Sequence, residues 1–316
     1  MEHNSISNVV ATVYGGTGNI GAFLSSRLGI IASDLTYPVR DRFLFDDSLK
    51  DLRVHGSTGM VYVAHHTDFH DPNNLDRVNR HSDLVINLLG PRAWGSTNYE
   101  HFKEINMDIP RKIARSARRT GIKKFIHLSA VGADKHSDSL DFKTKAFGEE
   151  LIRDELPEAI ILRPTIVISR KDYFLRYWGD QMNNFRYFLP VYDKCTALKQ
   201  PLIIDDFCEA IVNAIKLENI QGRTFEIGGP FQYTQKELIE IMMNAMNRNI
   251  KLYRFNKERA KWLAGMIPFD KFNREDIIKS GIDLTVRQEN GEGNIHDLFV
   301  QPVCVAPFIR ALFEKD

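Results

Sequence analysis

The sequence is poor in cysteine, carries almost no net charge and has no long apolar run. Its three cysteines, Cys195, Cys208 and Cys304, are far apart in 316 residues. Their odd number and wide spacing predict neither a disulfide framework nor a zinc site. With 42 basic and 41 acidic residues the formal net charge is +1, so no overall field favours nucleic acid as a partner. No apolar run approaches the roughly 20 residues of a membrane-spanning helix.

The first strand-like run begins at about Val9. It leaves no room before it for an amphipathic transit peptide or a secretory signal. We therefore expect either a protein that is not imported by such a signal or a chain from which a presequence is absent. The composition, 43% hydrophobic and 26% charged, is typical of a globular protein that buries a core. The length allows one large domain or two modest ones.

Short apolar runs rich in β-branched residues alternate with amphipathic segments in the first half of the chain. This alternation predicts βαβ units with right-handed crossovers. The predicted fold class is therefore α/β, a Rossmann-type doubly wound parallel sheet with a smaller C-terminal subdomain. The predicted strands are 8–14, 35–39, 60–64, 84–89, 124–128 and 159–162, and the predicted helices lie near 20–30, 72–80, 98–119 and 142–155.

The alternation breaks after Pro164, where the segment 170–195 is rich in aromatic residues. That segment can be core, which is the default, or a pocket wall or a docking surface. A helix is predicted after Thr234, with Thr234 as N-cap and Glu237 completing a capping box. We predict an NADP(H)-binding Rossmann domain over 1–169 and a C-terminal subdomain over 170–316, from which 199–216 returns to the Rossmann core.

Two apolar stretches near the C-terminus, 262–269 and 300–313, are too short to cross a bilayer. Either could lie against a membrane surface or a neighbouring subunit. The basic run 111–124 carries Ile113, Ala114 and Ala117 at helical spacing. It is predicted to be the solvated face of an amphipathic helix, and a second interpretation is that it meets an acidic partner or lipid head groups.

A glycine-rich turn joins the first predicted strand to the first predicted helix. Gly15, Gly18 and Gly21 form a G-x-x-G-x-x-G pattern. Such glycines allow a tight turn, the approach of a pyrophosphate to the backbone, and close packing of the helix. The helix N-terminus adds unpaired N–H groups and the positive end of a dipole. The strand–turn–helix context therefore predicts a dinucleotide site.

The end of the second predicted strand bears on which dinucleotide is bound. A free ribose 2′-hydroxyl usually meets an Asp or Glu at this position, whereas a 2′-phosphate meets an Arg. Arg40 follows Val39, and its guanidinium can pair bidentately with a phosphate. Arg40 favours NADPH. NADH stays as the alternative, because Asp41 could be the acidic residue that meets a free ribose 2′-hydroxyl.

Two further strand ends face the same predicted crevice. Asp68 could hydrogen-bond the adenine amino group, and Leu89 and Gly90 could flank the adenine and ribose. The simpler interpretations are a capping Asp and an ordinary strand end. His65, His66 and His70 cluster near Asp68, but no second cluster stands at metal spacing, so no metal site is predicted.

Several runs in the chain resemble the extended, atypical short-chain dehydrogenase/reductase superfamily. They are VYGGTGNIG (13–21), DLVINLLG (83–90), IKKFIHLSAVGAD (122–134), KAFGEELIRDELPEAIILRPTIV (145–167), KQPLIIDDF (199–207) and FEIGGP (225–230). The last three look most like the dehydrogenase-like accessory subunits of the alpha subcomplex of mitochondrial respiratory complex I. The resemblance covers nearly the whole chain.

The resemblance implies a structurally bound NADPH that is not turned over. It implies other complex I subunits as partners, at the junction of the peripheral and membrane arms on the matrix side of the inner membrane, with contact to membrane lipid possible. The matching positions are, for the phosphates, Gly15, Thr17, Gly18, Asn19, Ile20 and Gly21; for the 2′-phosphate, Arg40; for the adenosine, Asp68, Leu89 and Gly90; and for the nicotinamide half, Ser129, Lys145 and Pro164.

The proton-transfer half of the site departs from the superfamily's pattern. An active member places a Tyr four residues before its Lys, so that the phenol can pass a proton while hydride moves. Asp141 occupies that position before Lys145, and Tyr99 and Tyr173 lack the spacing. Ser129 is followed by Ala130 and Val131, where an active enzyme usually carries its helper hydroxyl. No catalytic residue is therefore assigned.

Two alternatives stay open from the sequence. One is a free NADPH-dependent reductase or epimerase with a displaced acid. The other is a regulator that senses NADP(H) through a partner protein.

Overall fold

A parallel sheet of eight strands forms the centre of the computed structural model, which describes residues 9–40, 60–91, 98–185, 187–192, 195–256, 274–287 and 292–313. The strands are β1 (Val9–Tyr14), β2 (Ala32–Pro38), β3 (Met60–Ala64), β4 (Leu84–Asn87), β5 (Lys124–Leu128), β6 (Ile160–Pro164), β11 (Thr224–Ile227) and β14 (Gly293–Asn294). Their order across the sheet is β3-β2-β1-β4-β5-β6-β11-β14. The predicted α/β fold with a parallel sheet is confirmed.

The order of strands reverses beside β1, which pairs with β2 on one side and with β4 on the other. Ligands of open parallel sheets bind at the carboxyl ends of the strands near such a reversal. Leu88 still donates from its backbone N–H to the Tyr14 carbonyl, but the ladder of β4 ends at Asn87, two residues earlier than predicted. Leu89 and Gly90 therefore leave the sheet at this end.

Helices cover both faces of the sheet. In the first half they are α1 (Asn19–Ile31), α2 (Pro72–Asn79), α3 (Tyr99–Lys103), α4 (Ile109–Thr120) and α5 (Leu140–Glu155). A π-helical turn, Glu104–Asp108, joins α3 to α4. The predicted helix over 98–119 is thus a continuous helical segment with a local change of hydrogen-bond pattern, which the sequence periodicity did not indicate.

The basic side chains of α4 lie on its solvated face, as predicted. Ile113, Ala114 and Ala117 are fully buried. Arg111 and Arg115 both pair with Glu155 at the end of α5. These partners belong to the same chain, so the basic run needs no external acid to explain it.

Each face of the sheet has its own core. On one face α1 packs against α7 (Ile204–Lys216), where Leu24, Leu28, Phe207 and Ile211 are buried. On the other face α2, α4 and α5 enclose a separate cluster that includes Tyr14 and Leu75. Residues of α7 therefore contribute to the core of the main sheet, although they lie beyond position 170.

Most of the remaining strands and helices contribute to a third core. They are β7 (Val167–Ile168), α6 (Tyr173–Asn184), β8 (Phe188–Tyr192), β9 (Leu198–Lys199), β10 (Leu202–Ile203), β12 (Tyr233–Thr234), α8 (Gln235–Ala245), β13 (Lys251–Phe255), α9 (Arg274–Ser280) and α10 (Val305–Phe313). Trp178, Met182, Met242 and Ile309 are buried there. The division into 1–169 and 170–316 stays a prediction.

Several predictions for this half can be compared with the elements. The capping box at the start of α8 is present, with Thr234 accepting from the Glu237 backbone. In the aromatic segment Trp178 is core, whereas Tyr187 is 76% exposed. The stretch 300–313 contains α10, which packs on α8, and 262–269 lies outside the described residues. Within the described ranges, no helix is both long and apolar enough to cross a bilayer.

Candidate nucleotide site

The turn between β1 and α1 has the geometry of a phosphate cradle. Gly15 has φ +77°, a left-handed conformation that favours glycine. A Cβ at Gly21 would lie 2.5 Å from the Gly15 carbonyl oxygen, so only glycine lets α1 approach the turn this closely. The Gly18 N–H donates to the same oxygen at 2.9 Å. The backbone that a pyrophosphate must approach is therefore free of side chains at these positions.

The N-terminus of α1 begins without a side-chain cap. Gly18 is its N-cap residue and offers no side chain to the first turn. The early N–H groups of an α-helix lack intrahelical partners and, with the helix dipole, favour an anion. Thr17 lies in the turn, Ile20 is half-buried in the first turn of the helix, and Asn19 accepts a hydrogen bond from the Ser169 hydroxyl at 2.7 Å. These features fit the phosphates of a dinucleotide.

Arg40 and Asp68 lie at the carboxyl ends of β2 and β3. Arg40 is exposed, with its guanidinium carbon 5.9 Å from the centre of the Phe69 ring. Asp68 is exposed and accepts from the His70 backbone N–H at 2.8 Å. Asp41, the residue that would favour NADH, lies outside the described residues. In the described part of the chain, no three His, Cys, Asp or Glu side chains are grouped as metal ligands would be.

A cavity of about 320 Å³ lies beyond the ends of β4, β5 and β6. Six predicted residues line it together: Ile20, Leu89, Gly90, Ser129, Lys145 and Pro164. Arg40 and Asp68 are not among its lining residues. The structure thus places the residues predicted for the nicotinamide half around one space, with the turn at its side and Arg40 and Asp68 outside it.

Asp141 lies in the wall of this cavity and is held between two lysines. Lys145 Nζ is 2.6 Å from one carboxylate oxygen, and Lys279 Nζ is 2.6 Å from the other. Asn106, from the π-helical turn, donates to Asp141 Oδ1 at 2.9 Å. Asp141 is only 4% exposed. The position at which the superfamily resemblance predicts a proton-donating Tyr carries the counter-ion of two ammonium groups.

These contacts determine the protonation of the group. Burial raises the pKa of a carboxyl, but Lys145 and Lys279 outweigh burial and hold the pKa of Asp141 well below its ordinary value. Burial lowers the pKa of Lys145, although Asp141 acts against it. Burial also opposes the charge on Lys279, but Asp141 and the neighbouring acids outweigh it and raise the pKa of Lys279. Asp141 is therefore a carboxylate with no proton to give near neutral pH.

The other polar groups at this end of the sheet are also engaged. The Ser129 hydroxyl donates to Glu149, which in turn pairs with Arg163. Asn87 lies 3.0 Å from Nδ1 of His127, and burial lowers the pKa of His127 to about 3. The imidazole of His127 is therefore neutral. Ser129 lines the cavity, but its hydroxyl is directed to Glu149.

Sequence reasoning missed the contribution of α9. Lys279, Glu275 and Asp276 line the cavity, and Glu275 accepts hydrogen bonds from the Ser139 hydroxyl and the Leu140 N–H at the start of α5. Lys279 is 138 positions from Asp141, and no motif marks it. Nothing in the sequence predicts this contact, because Lys145 alone already balances the charge of Asp141.

Comparison with known proteins gives two kinds of similarity. Residues 11–228 match the model of the NAD dependent epimerase/dehydratase family. The chain is 32% identical over 305 residues to mitochondrial NADH dehydrogenase (ubiquinone) 1 alpha subcomplex subunit 9 from Mus musculus, covering 95% of this chain and 78% of that protein. It is 35% identical over 254 residues to the protein of that name from Arabidopsis thaliana, covering 79% of this chain and 61% of that one.

A solved structure of similar fold is the dTDP-glucose 4,6-dehydratase DesIV from Streptomyces venezuelae, with NAD and TYD bound. It aligns with a TM-score of 0.72 over 96% of this chain and 95% of its own, at 17% sequence identity. At this identity the likeness shows the fold alone.

Proposed function

Because this chain belongs to the NAD dependent epimerase/dehydratase family, and within it to the family of alpha subcomplex subunit 9 of mitochondrial NADH dehydrogenase (ubiquinone), we propose that it is an accessory subunit of complex I. Its partners are then other complex I subunits, and its place is the matrix side of the mitochondrial inner membrane. Its function there is to support assembly and stability at the junction of the peripheral and membrane arms.

The subunit is proposed to be non-catalytic, and Asp141 is the observation that carries this. A bound nicotinamide dinucleotide supplies hydride chemistry, but a carbonyl substrate also needs a proton donor at the right place. Asp141 stands where that donor is expected, as a buried carboxylate paired with Lys145 and Lys279. Lys145 can hold a ribose hydroxyl from this position without taking part in a reaction.

The nucleotide is proposed to be NADPH, bound as a structural component. The turn at Gly15–Gly21 suits the pyrophosphate. Arg40 at the end of β2 is exposed and carries the charge that a 2′-phosphate needs. A ligand that binds only the folded chain stabilises it by mass action. Held rather than consumed, NADPH would order the cavity that β4, β5, β6 and α9 share.

Two measurements test the proposal. Native mass spectrometry of the endogenous assembly should find this chain with complex I subunits and with the mass of NADPH. The purified chain should show no steady NADPH oxidation with carbonyl substrates. Lys143, a lysine of the same helix outside the cavity, provides the control. Hydride transfer would contradict the non-catalytic role if Lys145→Ala abolished it and Lys143→Ala did not.

A second candidate, a reductase with a displaced acid, rests on Tyr173. Its hydroxyl donates to Asp276, and both residues line the cavity. If Tyr173 replaced the missing donor, a purified preparation would reduce a carbonyl and Tyr173→Phe would abolish this. An inactive wild-type chain that binds NADPH favours the structural role.

A further inference from the structure

The loop between β7 and α6 lies against the N-terminus of α1. Ser169 is fully buried, and its hydroxyl donates to the Asn19 side chain at 2.7 Å. Asn19 is the first residue of α1 and follows Gly18, whose N–H closes the glycine turn. The loop is therefore attached to the turn at which the pyrophosphate is proposed to bind.

The backbone of this loop is held at both ends. The Ser169 N–H donates to the Asp172 carboxylate at 3.0 Å, and the Lys171 N–H donates to the Ser169 hydroxyl oxygen at 3.2 Å. Asp172 is buried, and as the N-cap of α6 it also accepts from the Leu175 N–H at 2.9 Å. Arg170 and Lys171 therefore have a fixed backbone position beside α1.

These two residues carry positive charges that have no acidic partner. Arg170 and Lys171 are exposed, and neither forms an ion pair or a side-chain hydrogen bond within the described part of the chain. Exposed cations are common on protein surfaces, but these two adjoin a turn proposed to hold phosphates. Their charges are available to an anion that binds there.

The cavity of about 320 Å³ offers the phosphates no spare positive charge. Its lining includes the ammonium groups of Lys145 and Lys279, and also the acidic groups of Asp141, Glu275 and Asp276. Both ammonium groups already pair with Asp141. A dinucleotide brings one negative charge on each phosphate of its pyrophosphate, and a partly buried charge is costly without a partner of opposite sign. A cation from outside the lining is therefore needed.

We propose that Arg170, with Lys171 beside it, binds the pyrophosphate of the dinucleotide together with the N-terminus of α1. A guanidinium can hold two phosphate oxygens at once, whereas the lysine acts as a point charge. Ser169 is the positioning residue, because its hydrogen bond to Asn19 keeps the loop at the turn. This inference rests on the proposed nucleotide and adds a charged partner to a phosphate site that otherwise consists of backbone N–H groups.

Three ligands distinguish a pyrophosphate partner from a partner of the other groups. The double variant Arg170→Gln with Lys171→Gln would be titrated with NADPH, NADH and ADP-ribose by isothermal titration calorimetry. Hydrogen bonds to a charged group contribute on the order of tenfold or more in affinity. All three ligands share the pyrophosphate, so each should bind at least about tenfold more weakly than to the wild type. A loss confined to NADPH would assign the loop to the 2′-phosphate, a loss that spares ADP-ribose would assign it to the nicotinamide, and either would overturn the proposal.

Lys216→Gln is the control for the change of charge. Lys216 is exposed at the end of α7, where the last carbonyls accept from Lys124 Nζ at the start of β5. It thus lies at the amino ends of the strands, away from the proposed site, and its loss should leave all three affinities within about twofold. The melting temperature of each unliganded variant should change little, because the substituted side chains are exposed.

Ser169→Ala tests the positioning of the loop. It keeps both cations but removes the bond to Asn19, so all three ligands should bind more weakly, by a smaller factor than in the double variant. That loss should disappear when Ser169→Ala is added to the double variant, because the loop then has no charge to position. If it persists undiminished, Ser169 does not act through these cations and its assignment as their positioning residue is wrong.

The wild-type chain separates this proposal from the proposed function. If the wild type binds NADPH and the double variant binds it equally well, the assignment of Arg170 and Lys171 is overturned while the proposed nucleotide stands. If the wild type binds neither NADPH nor NADH, both proposals are overturned.

Discussion

Two ammonium groups keep the carboxyl of Asp141 charged inside the protein. Its oxygens lie 2.6 Å from Lys145 Nζ and 2.6 Å from Lys279 Nζ. The attraction between buried opposite charges offsets the cost of removing them from water only while both charges are present. Asp141 therefore has a structural task, which is to join α5 to α9 in the wall of the cavity of about 320 Å³.

Replacing Asp141 by Asn should leave both lysines without their shared negative partner. We expect Asp141→Asn to lower the free energy of unfolding by about 3–5 kcal/mol at pH 7, measured by urea denaturation. The control Lys279→Met keeps the Lys145–Asp141 pair and should cost less. If Asp141→Asn lowers the free energy of unfolding no more than Lys279→Met does, the two lysines do not depend on this carboxylate.

The contribution of Asp141 has a defined pH dependence. Its pKa in the folded chain lies below the ordinary value of 3.8, so its stabilising effect is fully present above that value and is lost as pH falls toward the folded pKa. The stability difference between wild type and Asp141→Asn should therefore stay constant from pH 7 to about pH 5 and narrow below 3.8. A difference that grew on acidification would contradict the assigned charge.

Arg40 determines which dinucleotide is bound, if its guanidinium meets a 2′-phosphate. Hydrogen bonds to a charged group contribute about 1.5–3 kcal/mol, on the order of tenfold to a hundredfold in affinity. Arg40→Glu should weaken NADPH binding by at least about tenfold and NADH binding by much less, measured by calorimetry. Asp68→Asn, at the neighbouring strand end, should affect both nucleotides alike. Equal losses for NADPH and NADH in Arg40→Glu would show that the 2′-phosphate lies elsewhere.

At the scale of elements, the strands of the sheet could be predicted because each is a short apolar run covered on both faces. β3 and β5 have the predicted bounds, and β6 begins one residue and ends two residues later than predicted. The π-helical turn at 104–108 could not be predicted, because it depends on where α5 packs. Its Asn106 reaches Asp141 and Thr144 of that helix.

The turn before α1 depends on close approach, which a matched pair of glycine substitutions can test. A Cβ at Gly21 would lie 2.5 Å from backbone atoms of the turn. A Cβ at Gly179 in α6 would lie 3.9 Å from the Phe313 ring, its nearest described neighbour outside the backbone of α6. Gly21→Ala should cost about 1–3 kcal/mol and weaken dinucleotide binding. Gly179→Ala should instead stabilise by about 0.5–1 kcal/mol. Thermal denaturation with and without NADPH distinguishes the two, and tight binding by Gly21→Ala would exclude this turn as the phosphate site.

At the scale of the whole molecule, elements beyond residue 170 return to the strands and helices that precede it. β11 pairs with β6, and α7 packs on α1. The motif at Gly15–Gly21 predicts one side of the candidate nucleotide site because all its residues are neighbours in sequence. The contribution of α9 could not be predicted, because Lys279 meets Asp141 only after the intervening chain has folded. A sequence pattern reports residues that are close together in the chain, and this contact joins residues that are 138 positions apart.

If NADPH occupies the cavity that α9 lines, its effect should reach the C-terminal half of the chain. At about 100 times its Kd a ligand stabilises the folded state by about 2.7 kcal/mol, so amides that exchange through global unfolding slow about a hundredfold. Hydrogen exchange followed by mass spectrometry should show added protection from local opening in α1 and also in α9. In α10, whose residues do not line the cavity, protection should not exceed the global effect. Lys279→Ala should remove the added protection of α9 while α1 keeps its own. Protection confined to α1 in the wild type would mean that the nucleotide and α9 are not coupled.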